Sequence, residues 1–321
     1  MRPAARAGAQ ASAPPRFLYG PVPSRRLGLS LGVDILPFKA CSLDCVYCQL
    51  GATGRTTVRR RAFFSVREVV SQVREALGSG RRMDHITFSG SGEPTLNKNL
   101  GRVIRGIKKL TSIPVAVLTN GTLLTRKDVR TDLMAADIVV PSLDAATAPL
   151  FRAVNRPHAS LEAGRLIEGL ARFRREFRGR MWLEVMLVKG VNDSPAHIRA
   201  LKDAIARIRP DRVQLNTVVR PPAESFARPL SARELERIAR AIGPPAEVVA
   251  DFEPRRGSAG KSRLEEAILA VVERRPVTAD DVAASLGRPR GEVLAAVRPL
   301  LSSGRIRVVR HERKAFYEAA G

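Results

Sequence analysis

Cysteine is scarce in this chain, and its placement is unusual. The 321 residues include only three cysteines, Cys41, Cys45 and Cys48, all within one stretch of eight residues. So few thiols so close together exclude a scaffold held by several disulfides. An odd, tightly spaced set is typical of a metal site assembled in a reducing compartment, so we expect a cytoplasmic protein.

Long apolar runs and acidic residues are also in short supply. No run approaches the roughly 18–20 apolar residues that a membrane span needs, so no membrane partner is expected. Asp and Glu total 31 against 55 Lys and Arg, which gives a formal net charge of +24. Such a charge attracts polyanions such as nucleic acid. The total alone leaves nucleic-acid binding open, because only nine of the basic residues are Lys and codon composition can produce an arginine bias.

Three parts are predicted along the chain. Residues 1–16 are rich in Ala, Pro and Arg, lack the apolar segment of a secretory signal, and predict a disordered tail. Residues 17–256 form the main domain. The pattern breaks around the glycines at 257–260, and residues 257–321 predict three helices and two short strands, a small winged helix-turn-helix domain.

The main domain alternates short apolar runs with longer stretches of helical period, which is typical of βα units around a parallel sheet. The fold class is therefore α/β, and either a partial (β/α)₆ barrel or an open doubly wound sheet fits. The predicted strands are 31–36, 85–90, 114–121, 137–144, 181–190 and 212–219. The predicted helices are 65–78, 97–110, 124–134, 159–178 and 195–208.

Each of these strands after the first ends in polar or glycine residues. Because both candidate folds bind ligands at the carboxyl ends of their strands, we expect these residues to surround one site. They are Ser89 to Glu93, Thr119, Asn120, Gly121, Ser142, Asp144, Lys189, Gly190 and Asn216.

The cysteines follow the first predicted strand with the spacing CxxxCxxC. Three thiolates on one short loop can ligate three irons of a [4Fe–4S] cluster, and the chain has no fourth cysteine. The remaining iron is then open to an external chelator with an amino and a carboxylate group. The alternative is a structural zinc ion whose fourth ligand is His85, His158, His197 or His311.

A CxxxCxxC loop after the first strand resembles the signature of the radical S-adenosylmethionine (SAM) superfamily. The resemblance implies a partial barrel, a [4Fe–4S] cluster and SAM, whose methionine moiety chelates the open iron. It also implies reductive cleavage of SAM, hydrogen abstraction from a substrate by the resulting radical, and an electron donor such as flavodoxin or ferredoxin. Tyr47 stands where the superfamily has an aromatic residue near the adenine, and Gly90-Ser91-Gly92-Glu93-Pro94 resembles the motif that holds the α-amino group of SAM.

A narrower resemblance adds residues 19–32, the Cys48-to-Gly51 run and residues 214–224. Together these are similar to the wyosine-tRNA-synthase-like group of radical SAM proteins. True wyosine synthases carry three further cysteines, and this chain has none. We therefore expect this chain to share the fold of that group but not the chemistry of wyosine synthesis.

Three hypotheses about function follow, two for an enzyme and one for a protein without catalysis. In the first, an RNA or tRNA binds the C-terminal domain through Arg288, Arg290, Arg298, Arg307, Arg310, Arg313 and Lys314. In the second, that domain holds a peptide by adding a strand to its hairpin, as the leader-recognition domains of peptide-modifying radical SAM enzymes do. The third is a non-catalytic DNA-binding sensor. Arg25, Arg26, Arg220 and Lys189 are further candidates for binding an anionic group.

Overall fold

The main domain contains an eight-stranded sheet and the helices that follow its strands. The computed structural model describes residues 17–24, 26–250, 262–273, 275–286, 288–312 and 314–320, so the predicted tail at 1–16, the boundary at 257–260, Arg25 and Arg313 lie outside the described residues. The main sheet contains β1 (Leu18–Ser24), β2 (Gly28–Val33), β3 (His85–Phe88), β4 (Val115–Thr119), β5 (Ile138–Pro141), β6 (Arg180–Leu187), β7 (Arg212–Thr217) and β8 (Ala246–Val248). Its helices are α1 (Val66–Gly78), α2 (Leu100–Lys108), α3 (Lys127–Leu133), α4 (Ala148–Leu150), α5 (Ala163–Glu176), α6 (Pro195–Ile208) and α7 (Ala232–Ile242).

The strands pair in chain order from β1 to β8. β1 is antiparallel to β2, and every later pairing is parallel. A doubly wound sheet reverses its strand order at a switch point, whereas here each new strand is added at the same edge. Right-handed crossovers then put the helices on one face of the sheet. The α/β prediction is confirmed, and the order fits a partial barrel rather than the doubly wound alternative.

The two faces of the sheet differ in composition because side chains alternate along each strand. On one face the side chains are apolar and join the main buried cluster with the helices, among them Leu31, Ile86, Val117, Val139, Val185 and Leu215. On the other face the side chains line a cavity, among them Ser30, Thr87, Leu118, Ser142, Glu184 and Asn216. The helices thus cover the apolar face, and the opposite, more polar face is left to form a site.

The six predicted strands correspond to β2–β7, with β2 beginning and ending earlier than expected, at Gly28 and Val33. β1 and β8 were not predicted. Pro21 and Pro23 hid β1, since proline is a poor strand former, yet it is tolerated on an edge strand such as this one. β8 has three residues, too few for a recognisable pattern.

The five predicted helices are present as α1, α2, α3, α5 and α6, and α7 was missed. A signal for α7 was available. The hydroxyl of Ser231 accepts from the backbone N–H of Glu234, and the Glu234 carboxylate accepts from the Ser231 N–H, which is the capping box that Ser-x-x-Glu indicates.

The C-terminal unit consists of α8 (Ser262–Val272), α9 (Ala279–Leu286) and α10 (Arg290–Ser302), followed by the strands β9 (Ile306–His311) and β10 (Lys314–Ala319). The two strands form an antiparallel hairpin, and Val277 bridges to Tyr317 of β10. This unit packs on β1, because Tyr19 and Val22 belong to its buried cluster with Leu264 and Ile268. None of the described helices has the length and apolar character to cross a bilayer.

Candidate functional site

The loop after β2 carries the three cysteines to the carboxyl end of the sheet, and each sulfur accepts a hydrogen bond from a nitrogen. Cys41 Sγ accepts from the Asn120 amide at 3.6 Å, and Cys45 Sγ accepts from the Asn155 amide at 3.4 Å. The third acceptor is Cys48 Sγ, which lies 3.2 Å from the donor Nζ of Lys39. Donors aimed at sulfur stabilise the negative charge of a thiolate-ligated cluster and tune its potential.

The donor to Cys45 is held by an unusual piece of helix. After α4, residues Phe151–Asn155 form a π-helical turn, and such turns occur frequently at functional sites. The turn directs the Asn155 amide to both Cys45 Sγ and the carboxylate of Asp144, which it reaches at 2.7 Å. Asn155 therefore positions the cysteine loop and the end of β5 together.

Burial works against free thiolates in this loop. Desolvation, with the nearby charge of Glu93, raises the pKa of Cys41 to about 12, and desolvation with the charge of Asp144 raises the pKa of Cys45 well above its ordinary value. A metal that replaces the proton relieves this penalty, because thiolates are the species that bind metal.

The arrangement fits a cluster better than a single ion. Within the described residues, no three His, Cys, Asp or Glu side chains converge on one ion position. Structural zinc requires its ligands around one point, whereas a [4Fe–4S] cube takes one thiolate per iron.

None of the four histidines lines the cavity next to the cysteines. A ring nitrogen of each is bonded elsewhere: His85 to Leu27 O, His158 to Ser160 Oγ, His197 to Asp144 O and His311 to Val218 O. The zinc hypothesis thus lacks its fourth ligand among the described residues.

The Gly-Ser-Gly-Glu run after β3 packs directly on the cysteine loop. Gly92 allows this close approach, because a Cβ at that position would collide with the backbone carbonyl of Ala40. The backbone N–H of Glu93 donates to Ala40 O at 2.9 Å. Ser91 turns the other way, and its N–H and hydroxyl donate to Asp34 at 3.0 and 2.5 Å.

Glu93 is 2% exposed, and its carboxylate is almost fully used by the protein. Oε1 accepts from Thr95 N at 3.0 Å and from the hydroxyls of Thr95 and Thr119, both at 2.5 Å. Oε2 accepts from Asn120 N at 2.6 Å, and burial raises the pKa of the group. Glu93 thus joins the ends of β3 and β4 and keeps acceptor capacity on Oε2 alone.

Tyr47 and Asp144 form a second buried pair. The Tyr47 hydroxyl donates to Asp144 Oδ2, and Met186 N donates to Asp144 Oδ1 at 2.9 Å. Burial raises the pKa of Asp144 to about 6. The tyrosine ring is held against the cavity wall by a carboxylate from the end of β5.

These elements enclose one cavity of about 370 Å³. The predicted site residues that line it are Cys41, Cys45, Cys48, Tyr47, Gly90, Gly92, Glu93, Thr119, Asn120, Ser142 and Asn216. Asp144 and Ser91 lie behind the wall and orient it, and Pro94 begins a 3₁₀ turn at Pro94–Leu96.

Lys189 lies outside the cavity. Its ammonium is 3.1 Å from Glu234 Oε1, and the side chain is 51% exposed. β6 ends at Leu187, and the chain then turns through Gly190, which has a φ of +72°, so Lys189 is carried away from the strand ends. Its expected role next to the cofactor has no geometric support.

Other lining residues were missed from the sequence. Glu184 lies 2.9 Å from Arg26 Nη1 and accepts from the Asn216 amide at 2.9 Å. A lone acid within the apolar run of β6 was a signal for an inward-facing functional position. Arg275 of the C-terminal unit also lines the cavity, and no local pattern marked it. Arg26 and Arg220, which were candidates from the sequence for binding an anionic group, line the cavity as well.

A parallel partial barrel with three loop cysteines at the carboxyl ends of its strands defines a class of iron–sulfur enzyme. The family described as "Radical SAM superfamily" matches residues 35–201, and the chain belongs to that superfamily. It is therefore a radical SAM enzyme that uses a [4Fe–4S] cluster and SAM. The sensor hypothesis, which requires no SAM site, is not supported.

Relatives extend this assignment over more of the chain. A UPF0026 protein of Methanocaldococcus jannaschii is 36% identical over 68% of this chain and 69% of its own length. A Brachyspira hyodysenteriae protein named GTPase Obg is 38% identical over 90% of this chain, which spans only 43% of that protein. The dual-specificity RNA methyltransferase RlmN of Oleidesulfovibrio alaskensis is more distant, with 29% identity over 62% of this chain and 56% of its own length.

A solved structure shows the same fold. Streptococcus suis SuiB bound to S-adenosylmethionine has a TM-score of 0.52 and 17% identity, covering 69% of this chain and 50% of its own.

Proposed function

We propose that this radical SAM enzyme modifies an RNA, with tRNA as the first candidate, and that the C-terminal unit is a winged helix that binds this substrate. The observation that carries the proposal is the position of the unit. It is basic and exposed on α10 and the hairpin, and it packs on β1 beside the cavity that holds the cysteines.

In this proposal the cysteines hold the cluster, and the strand ends hold SAM. The bound cluster and SAM supply the radical that abstracts a substrate hydrogen. Asn120 and the remaining acceptor position of Glu93 Oε2 lie at the cysteine end of the cavity, where the amino group of SAM would bind. Tyr47, held by Asp144, would contact the adenine.

The geometry narrows the candidate phosphate contacts. Arg288, Arg290 and Arg307 are 3.0 Å or less from Glu292, Asp280 and Glu318, respectively. Arg298, Arg310 and Lys314 are exposed and have no acidic partner among the described residues. Phosphates of an RNA would complement these three, and the RNA methyltransferase among the relatives supports RNA as the substrate class.

Peptide recognition remains as the second candidate because of one observation. β9 pairs with β10 on one side, and no described strand pairs with its other edge. A substrate peptide could add a strand there, with affinity from backbone hydrogen bonds. The relation to the wyosine-synthase-like group is likewise a proposal.

Salt dependence separates the two candidates in the full chain. Binding of bulk tRNA should weaken steeply with salt, because log affinity falls by about 0.7–0.9 per phosphate contact for each tenfold rise in salt. The triple variant Arg298→Glu, Arg310→Glu, Lys314→Glu should lose most tRNA binding and keep its cluster.

The matched control is charge reversal of three exposed arginines on barrel helices, Arg102→Glu, Arg165→Glu and Arg207→Glu, which changes net charge equally. If both triple variants weaken tRNA binding to the same degree, the unit contributes only nonspecific charge and the RNA proposal fails. Strong binding of a peptide with little salt dependence would favour the second candidate.

A further inference from the structure

Arg275 lines the cavity although it belongs to the C-terminal unit. It follows α8, and its backbone N–H donates to Val271 O at 3.2 Å. Two residues later, Val277 exchanges backbone hydrogen bonds of 3.0 and 2.7 Å with Tyr317 of β10. Backbone hydrogen bonds therefore hold Arg275 itself and the chain two residues after it.

The unit that carries Arg275 is joined to the cavity wall at two further points. It packs on Tyr19 of β1, whose hydroxyl shares a hydrogen bond of 2.7 Å with Ser89 after β3 and whose ring lies over Gly32, where any Cβ would collide with it. His311 of the hairpin bonds to Val218 O after β7 at 3.1 Å. Arg275 thus has a defined place in the wall.

Part of the guanidinium of Arg275 is buried without a hydrogen-bond partner among the described residues, so it could bind an anion. Its Nε and Nη2 atoms are buried and have no hydrogen-bond partner among the described residues. These two atoms form one edge of the guanidinium, the edge that binds two oxygens of a carboxylate or phosphate side by side. A buried charge without a partner is costly, so a ligand that brings the anion would bind there favourably.

The carboxylates that line the cavity do not pair with these two atoms of Arg275. Glu93 is committed to Thr95, Thr119 and Asn120, and Glu184 lies against Arg26 and Asn216. Arg26 and Arg220 line the same cavity as Arg275. Cations therefore outnumber acids among its lining residues.

We propose that Arg275 is a substrate-binding residue that the C-terminal unit contributes to the active site, and that it binds a phosphate of the nucleotide being modified. The inference rests on the proposed RNA function for the identity of the anion. It makes the C-terminal unit part of the active-site wall as well as a docking module, so the unit that binds the substrate would also contact it inside the cavity.

The first test measures anion binding by the full chain with its cluster reconstituted and SAM bound. Calorimetric titration at low ionic strength uses inorganic phosphate and, separately, acetate. We expect one saturable phosphate site, which Arg275→Gln weakens about tenfold or more, as loss of a charge-assisted pair predicts. The control Arg305→Gln removes the same charge from an exposed arginine of the same unit and should change phosphate binding less than twofold.

Two results would overturn the assignment of Arg275 as a substrate-binding residue. One is unchanged phosphate binding in Arg275→Gln, and the other is a loss of SAM binding that equals the loss of phosphate binding, because Arg275 would then serve SAM. Preference for acetate over phosphate overturns the phosphate assignment. A phosphate site that depends on Arg275 in a protein that does not bind tRNA would instead overturn only the proposed function.

A second variant separates ligand binding from a structural role. If Arg275 awaits a ligand, Arg275→Met removes an unpaired buried charge, and the Tm of the ligand-free protein should stay unchanged or rise. Phosphate should then raise the Tm of the unaltered chain but not of the variant. A lower Tm for Arg275→Met, with the phosphate effect retained, contradicts the inference.

Discussion

The barrel and the C-terminal unit differ in whether their polar side chains are already hydrogen-bonded within the protein. In the barrel, the buried carboxylates of Glu93 and Asp144 are surrounded by donors from neighbouring strand ends, so the wall is already organised. In the C-terminal unit, Arg298 and Arg310 face solvent, and Arg275 faces the cavity with a free guanidinium edge. The barrel is built for a cluster and cofactor that are always the same, whereas the C-terminal unit presents groups that an outside ligand must complete.

This difference has an energetic basis. Four accepted hydrogen bonds offset part of the cost of burying a carboxylate, and its geometry is fixed before any ligand binds. An exposed arginine keeps its hydration until an anion replaces it, and binding then depends on salt. Variants in the barrel should therefore change cofactor binding, and variants in the C-terminal unit should change substrate binding.

The largest effect is expected at the cysteines. Cys45→Ala removes one of three cluster ligands, so iron content should fall from about four per chain to near zero after anaerobic reconstitution. Formation of 5′-deoxyadenosine from SAM under a strong reductant should be abolished with it. Iron and acid-labile sulfide analysis checks the first result, and chromatography of the nucleoside products checks the second.

The matched control is Ser42→Ala, on the same loop, which removes a hydroxyl bonded to Thr122 and Asn120 and keeps all three thiols. It should retain the cluster. Zinc without iron in the unaltered protein, purified without oxygen, would contradict the assignment of the loop.

Removal of the C-terminal unit should have the next largest effect. The three cysteines and the predicted SAM-binding residues all precede this unit in the chain, so it should be separable from SAM cleavage. A chain ending at residue 250 keeps the main buried cluster, so we expect cluster loading and slow substrate-free cleavage of SAM to persist. It also exposes Tyr19 and Val22, which are 8% and 6% exposed when the unit is present.

Exposure of these two side chains should lower the free energy of unfolding of the barrel by about 1.5–3 kcal/mol for each. Turnover of the proposed RNA substrate should be lost. The full-length variant Val22→Ser weakens the same contact without deleting the unit and should lower the Tm in the same direction by less. If the shortened chain is as stable as the full chain, β1 is not a shared structural element.

The sequence allowed much of the barrel to be predicted, because its strands and most of its helices have strong local periodicity. The cysteines and the Gly-Ser-Gly-Glu run were found because the chemistry requires a fixed local spacing. β1 was missed since its prolines argue against a strand unless the strand is known to be an edge. Arg275 was missed because its role depends on a contact between residues far apart in sequence, Tyr19 and the helices of the C-terminal unit.

Roles within the strand-end motif were also only partly predictable. Glu93 was expected to bind SAM, and sequence could not reveal that Thr95, Thr119 and Asn120 already occupy most of its acceptor positions. Likewise, a position near the end of a strand did not suffice to place Lys189 in the cavity, since Lys189 lies in the turn that follows the strand. Such outcomes depend on tertiary geometry rather than on local pattern.

The smallest of the three effects is expected for Glu93→Gln, which keeps the size of the side chain. A glutamine has one carbonyl oxygen, and its amide nitrogen would face a donor, either a threonine hydroxyl or the N–H of Asn120. One buried donor left unsatisfied costs about 1–3 kcal/mol of unfolding free energy, which urea denaturation can measure. We expect SAM affinity to fall about tenfold, because the amide of Asn120, which donates to Cys41, is disturbed beside the ligated sulfur. The cluster should be retained, because the sulfur itself stays in place.

The control is Glu224→Gln. This carboxylate pairs with Arg156 nearer the surface and lies outside the cavity wall, so the change should leave SAM affinity unchanged. Equal SAM binding in Glu93→Gln and the unaltered chain, together with the expected loss of stability, would assign Glu93 to holding β3 and β4 together and move the SAM amino group to other acceptors at the same strand ends.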